Sequence, residues 1–432
     1  MSFVITAAII IILVSVKPAY CYIDPSTGTM FFSIIISIVS VGFFAAKTII
    51  HKMTTMTFWN RRGTNNMMRG RSKEFVIYSE GKQYWNLFKP IVEEFDKRKI
   101  KYYYYTSDEK DPCFEHKSDY IEASFIGKGN RAYAKLNILE ADLCLMTTPG
   151  LDVYQLRRSK LVKHYSFIHH APGDATLYRL FGLDYFDSIL LTGDYQIEDL
   201  RKLESMRNIK KKEMIVVGCT YLDVLKIELS KITYTKTNEN ITVLVAPSWG
   251  ESGLLKKYGM NLLNPLAKSN FNVIIRPHPQ SSVTEKDLLE RLTNDLKDYQ
   301  NVEWDFERNN ITAMSKSDIL ISDFSGIIFD YLFLLSRPVI YTSYNMDLRT
   351  YDAGDIEHEL KQFIFLKDIG IKLPEENFAD IKGIVENSVK NDTLKQKIEH
   401  ARNEAYCFPG ESGVRTVDAL IDLRNRSLNS KA

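Results

Sequence analysis

Paired cysteines are missing from this 432-residue chain: Cys21, Cys113, Cys144, Cys219 and Cys407 lie far apart and form no C-x-x-C motif. That spacing argues against a disulfide framework and a zinc site, leaving reduced structural thiols as the expectation. An excess of one charge is also missing, since 56 Lys and Arg stand against 54 Asp and Glu for a formal net charge of +2. No stripe of Lys and Arg alternates with aromatics, so no nucleic-acid partner is expected. Repeats of solenoid period and low-complexity tracts are lacking too, which excludes a stacked-repeat architecture. The residues are 45% hydrophobic, and the length suffices for two ordinary domains beside a membrane anchor.

Long uncharged runs are confined to the N-terminus. Residues 3–16 are almost continuously apolar and are followed by small residues. This segment, 1–22, is short for a membrane span and resembles a signal-peptide core without its positive n-region. Residues 29–46 carry no charge, and with the flanking residues to 50 they are long enough for a transmembrane helix. The following stretch, 51–73, holds Lys52, Arg61, Arg62, Arg69, Arg71 and Lys73 and no acidic residue. Basic residues beside a span stay on the cytoplasmic side. The expectation is a cell-membrane protein, single-pass or two-pass if the first segment is retained, with a cytoplasmic catalytic part. A secreted protein with two misread segments is the competing reading.

From residue 74 onward, strand-like and helix-like patterns alternate. Strands are expected at 75–78, 100–105, 121–126, 143–146, 166–168, 188–191 and 214–217, then at 241–245, 273–275, 302–304, 319–321 and 339–341. Such βα repetition builds mostly parallel sheets. A polar stretch at 232–240 separates the two series, so two α/β domains are expected at 74–236 and 237–432, with a cleft between them.

Four polar motifs stand where expected strands end: His169-His170-Ala171-Pro172, Ala246-Pro247-Ser248-Trp249, Arg276-Pro277-His278-Pro279 and Ser322-Asp323-Phe324-Ser325-Gly326. Ligands of doubly wound sheets bind at the carboxyl ends of strands, so the four together define the candidate site. Ser325 and Gly326 open a helix whose unpaired amides suit a diphosphate. The plain alternative is that Ser325 and Asp323 only cap that helix. Arg276 offers a fixed cation, and His278 sits between two prolines that stiffen its loop. Either His169 or His170 is placed to act as general base. Asp330, seven residues after Asp323, either faces the same ligand or simply favours the helix dipole.

The sequence R-P-H-P, then S-D-x-S-G-x-x-x-D and R-P-V-I-Y, resembles the CDP-glycerol glycerophosphotransferase family, the polyol-phosphate transferases of teichoic-acid-type polymers. The resemblance implies an α/β, GT-B-like fold of two Rossmann-like domains facing a cleft. It implies a catalytic role for His169 and His278, diphosphate binding by Arg276, Ser322, Ser325, Gly326 and Ser248, and ribose or polyol binding by Asp323 and Asp330. No cofactor or metal is implied. The partners would be a CDP-activated polyol and a lipid-linked or glycan acceptor. Two departures stand out: Gly250 where Arg usually follows A-P-T-W, and Asp174 where a Lys is expected. A GT-B glycosyltransferase using a nucleotide sugar for surface polysaccharide is the alternative, and a non-catalytic membrane-tethered scaffold is a third.

Overall fold

Among the described residues thirteen short runs, most of them apolar, pair into two all-parallel sheets, as expected of strands covered on both faces. The computed structural model describes residues 73–233, 239–307, 309–342 and 348–429. The expected signal-like segment and transmembrane helix, and nearly all of the basic segment, lie outside these residues. Among the described residues no helix is long and apolar enough to cross a membrane.

The first sheet comprises β1 (Lys73–Ser79), β2 (Tyr102–Thr106), β3 (Ile121–Phe125), β4 (Ala141–Met146), β5 (Val162–Ile168), β6 (Ser188–Leu191) and β7 (Glu213–Val216), in the order β3-β2-β1-β4-β5-β6-β7. The second contains β8 (Thr242–Val245), β9 (Asn272–Ile275), β10 (Val302–Trp304), β11 (Ile319–Ser322), β12 (Val339–Tyr341) and β13 (Ile371–Lys372), in the order β10-β9-β8-β11-β12-β13. Each sheet reverses its winding once, between β1 and β4 in the first and between β8 and β11 in the second. Those switch points are where doubly wound folds bind ligands.

Lys73 departs from the expected basic segment. It is the first residue of β1, buried, with its ammonium 5.3 Å from the centre of the Tyr103 ring. The last helix departs from the expected second domain. Ser412–Asn429 packs on the helix Trp85–Lys97 and on β4 and β5, all in the first half. Its polar face is held there by Arg424 on Asp142 at 2.9 Å, while Val417, Leu420 and Leu423 join the core of the first sheet.

One apolar core spans both halves: Leu222 and Leu225 of the helix Thr220–Ser230 meet Ile328, Phe329 and Leu332 of the helix Ile327–Leu335. A polar strap joins them a second time. Residues 176–181 pair with residues 350–353, with Asp352 N donating to Tyr178 O at 2.9 Å and Ala353 N to Thr176 O at 2.9 Å. Arg207 fastens the strap, donating to Asp184 at 2.8 Å, Asp352 at 2.7 Å and Asp355 at 2.6 Å. Its guanidinium also lies 4.7 Å from the Phe181 ring centre.

Removing the cation from a buried ion cluster leaves carboxylates without their partner. Arg207→Ala is therefore expected to destabilise the protein by about 3–5 kcal/mol. A chemical-denaturation midpoint equal to wild type would show that the strap holds without it.

Candidate active site

At the switch point of the second sheet, the turn after β11 is organised by one buried carboxylate. Asp323 is 1% exposed. It accepts from Ser248 N at 2.9 Å, Ser248 Oγ at 2.9 Å, Leu254 N at 2.9 Å, Phe324 N at 2.7 Å and Ser325 N at 3.2 Å. These bonds tie the loop after β8 to the start of the helix Ile327–Leu335. They also occupy Asp323, which the sequence reading made a ribose or polyol ligand and the structure makes the brace of the loop. Ser322 is committed in the same way, fully buried and donating to Ala246 O at 2.6 Å.

Toward the open side remain Ser325, half-buried, and Gly326, exposed, at the head of that helix. Among the described residues the amides of Gly326 and Ile327 have no hydrogen-bond partner. A Cβ added at Gly326 would meet nothing within 4 Å. Unpaired amides at a helix start in open space suit an anion.

His278 stands on the loop after β9, with its ring centroid 6.4 Å from that of the exposed Trp249. Its Nδ1 accepts from Gln280 N at 3.1 Å, so in the neutral ring Nε2 carries the proton and is the donor. Burial lowers its pKa, and the charges of Asp323 and Glu285 partly counter this. Arg276 is buried against Asp305 at 2.6 Å and donates to Glu307 O at 2.7 Å. That pairing neutralises its charge locally and holds the loop from 276 to 279, so the guanidinium is engaged within the protein where a diphosphate contact was expected.

Asp330 is displaced furthest from its expected role. It faces the first half across the shared core, where Tyr221 Oη donates to it at 3.3 Å. Burial raises its pKa to about 7. It therefore takes part in the contact between the helices.

In the first sheet, proton bookkeeping separates the two histidines that follow β5. His169 is buried, and its Nε2 lies 3.1 Å from the carbonyl of Gly173. A carbonyl only accepts, so Nε2 bears the proton and Nδ1 accepts from Tyr178 Oη at 2.8 Å. Both ring nitrogens are spent. Thr147 Oγ1 donates to Ile168 O at 2.9 Å and so can only accept from His170 Nδ1, 3.0 Å away. Tyr178 Oη, its own proton given to His169, likewise accepts from His170 Nδ1 at 3.2 Å. His170 Nε2 is left with its lone pair and no partner among the described residues. Burial lowers the pKa of His170 to about 4, so the ring is neutral at physiological pH.

The two departures in the motifs have structural causes. Gly250 has φ +88°, a left-handed conformation in which an Arg would be strained. Asp174 accepts from Gln362 N at 2.8 Å at the start of the helix Lys361–Ile369, while Gln362 Oε1 accepts from Asp174 N at 3.2 Å. A carboxylate there favours the helix dipole and pins the histidine loop to the second half, a task a Lys could not perform.

Residues 196–365 match the model of the CDP-Glycerol:Poly(glycerophosphate) glycerophosphotransferase family. The resemblance drawn from the motifs is thus borne out, and the matched span contains the three motifs of the second sheet but not His169 or His170. No curated protein matches the chain. Among solved structures, the wall teichoic acid polymerase TagF is similar over 89% of this chain and 99% of its own, at 16% identity and a TM-score of 0.56. A TagF variant soaked with CDPG gives 88%, 98%, 16% and 0.53. A UDP-GlcNAc 2-epimerase from Neisseria meningitidis bound to UDP-GlcNAc is similar over 81% of this chain and 100% of its own, at 15% identity and a TM-score of 0.55. These likenesses establish the α/β, GT-B-like fold of two parallel sheets.

Asp330 makes stability depend on pH. Its ordinary pKa of 3.8 applies in the unfolded chain, whereas the folded value is about 7. Between these values the folded state holds a proton that the unfolded state has lost, so this contribution is present below about pH 4 and disappears as pH rises through about 7. Asp330→Asn should flatten that slope, its melting temperature rising relative to wild type between pH 5 and pH 8. An unchanged difference between the two proteins across this range would refute the assignment.

Proposed function

Taking the chain as the CDP-glycerol glycerophosphotransferase-like enzyme that residues 196–365 identify, we propose that it moves glycerol or ribitol phosphate from a CDP-linked donor to a hydroxyl of a lipid-linked or cell-surface glycan precursor. The observation that carries this reading is the family match over the three donor-side motifs, which the fold brings to the carboxyl ends of β8, β9 and β11. The run 29–50, uncharged from 29 to 46, and its basic flank support a membrane anchor, with the transferase on the cytoplasmic side where nucleotide donors are made.

In this mechanism the donor diphosphate lies on the amides of Gly326 and Ile327 beside the hydroxyl of Ser325. His278 donates from Nε2 to a phosphate oxygen, and Trp249 closes the same side. The acceptor hydroxyl loses its proton to Nε2 of His170 as its oxygen attacks the β-phosphorus. The bond from that phosphorus to the bridging oxygen breaks, and CMP leaves. His170 takes the base role that the motif resemblance gave to His169, because a base needs a free lone pair within reach of the proton it removes. His169 and Tyr178 hold the tautomer of His170. Stabilising charge on the transferring group is the main task in phosphoryl transfer, which the helix start and His278 perform.

The second reading, a glycosyltransferase using a nucleotide sugar, is favoured by the absence of the two expected cations at Gly250 and Asp174. Turnover of CDP-glycerol, CDP-ribitol and UDP- and GDP-sugars by the full-length protein separates the two, and turnover of sugar nucleotides alone would overturn the first. With the preferred donor, His170→Ala is expected to lower kcat by about 10²–10⁴-fold while the donor still binds. Wild-type turnover by the folded variant would remove His170 from the chemistry.

A further inference from the structure

The loop that leads into the helix Lys361–Ile369 carries a histidine with an acceptor beside each ring nitrogen. His358 Nδ1 lies 3.0 Å from the carbonyl of Glu359. A carbonyl only accepts, so Nδ1 bears a proton. Nε2 lies 2.8 Å from Oδ1 of Asp199, on the helix Gln196–Met206 of the first half. In a neutral ring this nitrogen would set a lone pair against a carboxylate oxygen, so the contact stands only when the ring is an imidazolium. We infer that His358 is a proton-dependent positioning residue: while charged it secures Asp199, keeps Asp174 on the second half and so holds the loop that presents His170.

Asp199 depends on that charge. It is 3% exposed, and neither of its oxygens has a hydrogen-bond partner of good geometry among the described residues. A buried carboxylate without donors is costly unless a cation stands beside it. Lys202 is a second cation in reach, 3.8 Å from the same oxygen, but it is also drawn to Glu198 at 2.9 Å. The closer contact is the one from His358.

Asp199 acts on the histidine loop through Asp174 and Gly173. Burial raises the pKa of Asp174 to about 6, the charge of Asp199 adds to the rise, and His358 opposes it. Neighbouring carboxylates repel each other unless a cation is shared between them. Asp174 holds Gln362 N at 2.8 Å. The carbonyl of Gly173 accepts from Tyr195 Oη at 2.7 Å and from Gln196 Nε2 at 2.5 Å, at the start of the helix that bears Asp199, and His169 Nε2 lies 3.1 Å from it. The histidine loop, the helix Gln196–Met206 and the loop before Lys361 thus meet around one proton.

Other charges also surround the ring. Glu198 and Lys202 come from the helix Gln196–Met206, Lys361 from the start of the next helix, and Glu357 and Glu359 from the ring's own loop, with Glu359 paired to Lys367 at 2.6 Å. These flanking charges balance in sign, so the net charge beside Asp174 and Asp199 changes with the proton on His358.

The link to turnover rests on the transferase reading, so local structure is measured apart from it. Hydrogen-exchange mass spectrometry on the full-length protein follows peptides covering 169–178 and 356–369 from pH 5.5 to 8.5, as protection factors corrected for the intrinsic exchange rate. In wild type, protection is expected to fall about fivefold as pH rises through the range in which histidines titrate. His358→Lys, whose cation persists over this range, should keep the acid-side protection throughout. His358→Gln should show the lowered protection at every pH. With the preferred CDP-polyol, kcat should follow the same order at pH 8.5, highest in His358→Lys, while KM for the donor is equal in all three proteins. Protection that follows one pH course in wild type and His358→Gln would overturn the inference, as would a fall in His358→Lys equal to that of wild type. Protection as expected with kcat alike in all three would overturn the link to His170. If protection behaves as expected while no nucleotide donor is turned over, the transferase reading fails and the hold of His358 on the loop stands.

Discussion

The carboxylate of Asp323 is the interaction on which the candidate site of the second sheet depends. Parallel strands end in loops with no backbone partners of their own, and two such loops must meet at a switch point without collapsing onto each other. Asp323 resolves this by collecting five donor groups from the loops after β8 and β11. Its oxygens accept from Phe324 N and Ser325 N, so the next amides, those of Gly326 and Ile327, are the ones left open to a ligand. A shorter or absent side chain would leave those donors buried and unpaired, at a cost of about 1–3 kcal/mol for each group. The open helix start is thus a consequence of the brace.

At the histidine loop of the first sheet the constraint comes from the other half of the molecule. Tyr178, which fixes the protons of both histidines, gives its backbone carbonyl to Asp352 N in the strap. Asp174 anchors the same loop to the helix Lys361–Ile369. The position and tautomer of His170 therefore depend on residues nearly two hundred positions away. This explains why a Lys of the family pattern is replaced by an acid without damage to the loop: the position supports the loop, and its charge serves a helix start. Gly250 illustrates the same point for the backbone, because its left-handed conformation suits a residue without a side chain.

Much of the fold was legible in local pattern. Strands expected at 188–191, 273–275, 302–304 and 339–341 stand where their apolar runs placed them. The two-residue β13 left no run long enough to notice. Of the candidate site, the sequence placed the four motifs on loops, since Gly, Pro and small polar residues mark turns wherever they occur. It did not distinguish Ser325 and Gly326, which face outward, from Ser322 and Asp323, which face inward, because neighbours in one turn differ only in what surrounds them.

By itself the sequence determined the alternation of strand and helix, the parallel class of both sheets and the positions of the loops that carry the four motifs, because apolar periodicity and turn residues act over a few neighbours. Only the tertiary structure decided which histidine keeps a lone pair, that Asp330 and Arg276 are spent inside the protein, and that the last helix returns to the first sheet. The physical reason is that hydrogen-bond partners and desolvation are set across long separations, as between Asp174 and Gln362, 188 residues apart. A side chain's chemistry is then fixed by what is folded against it.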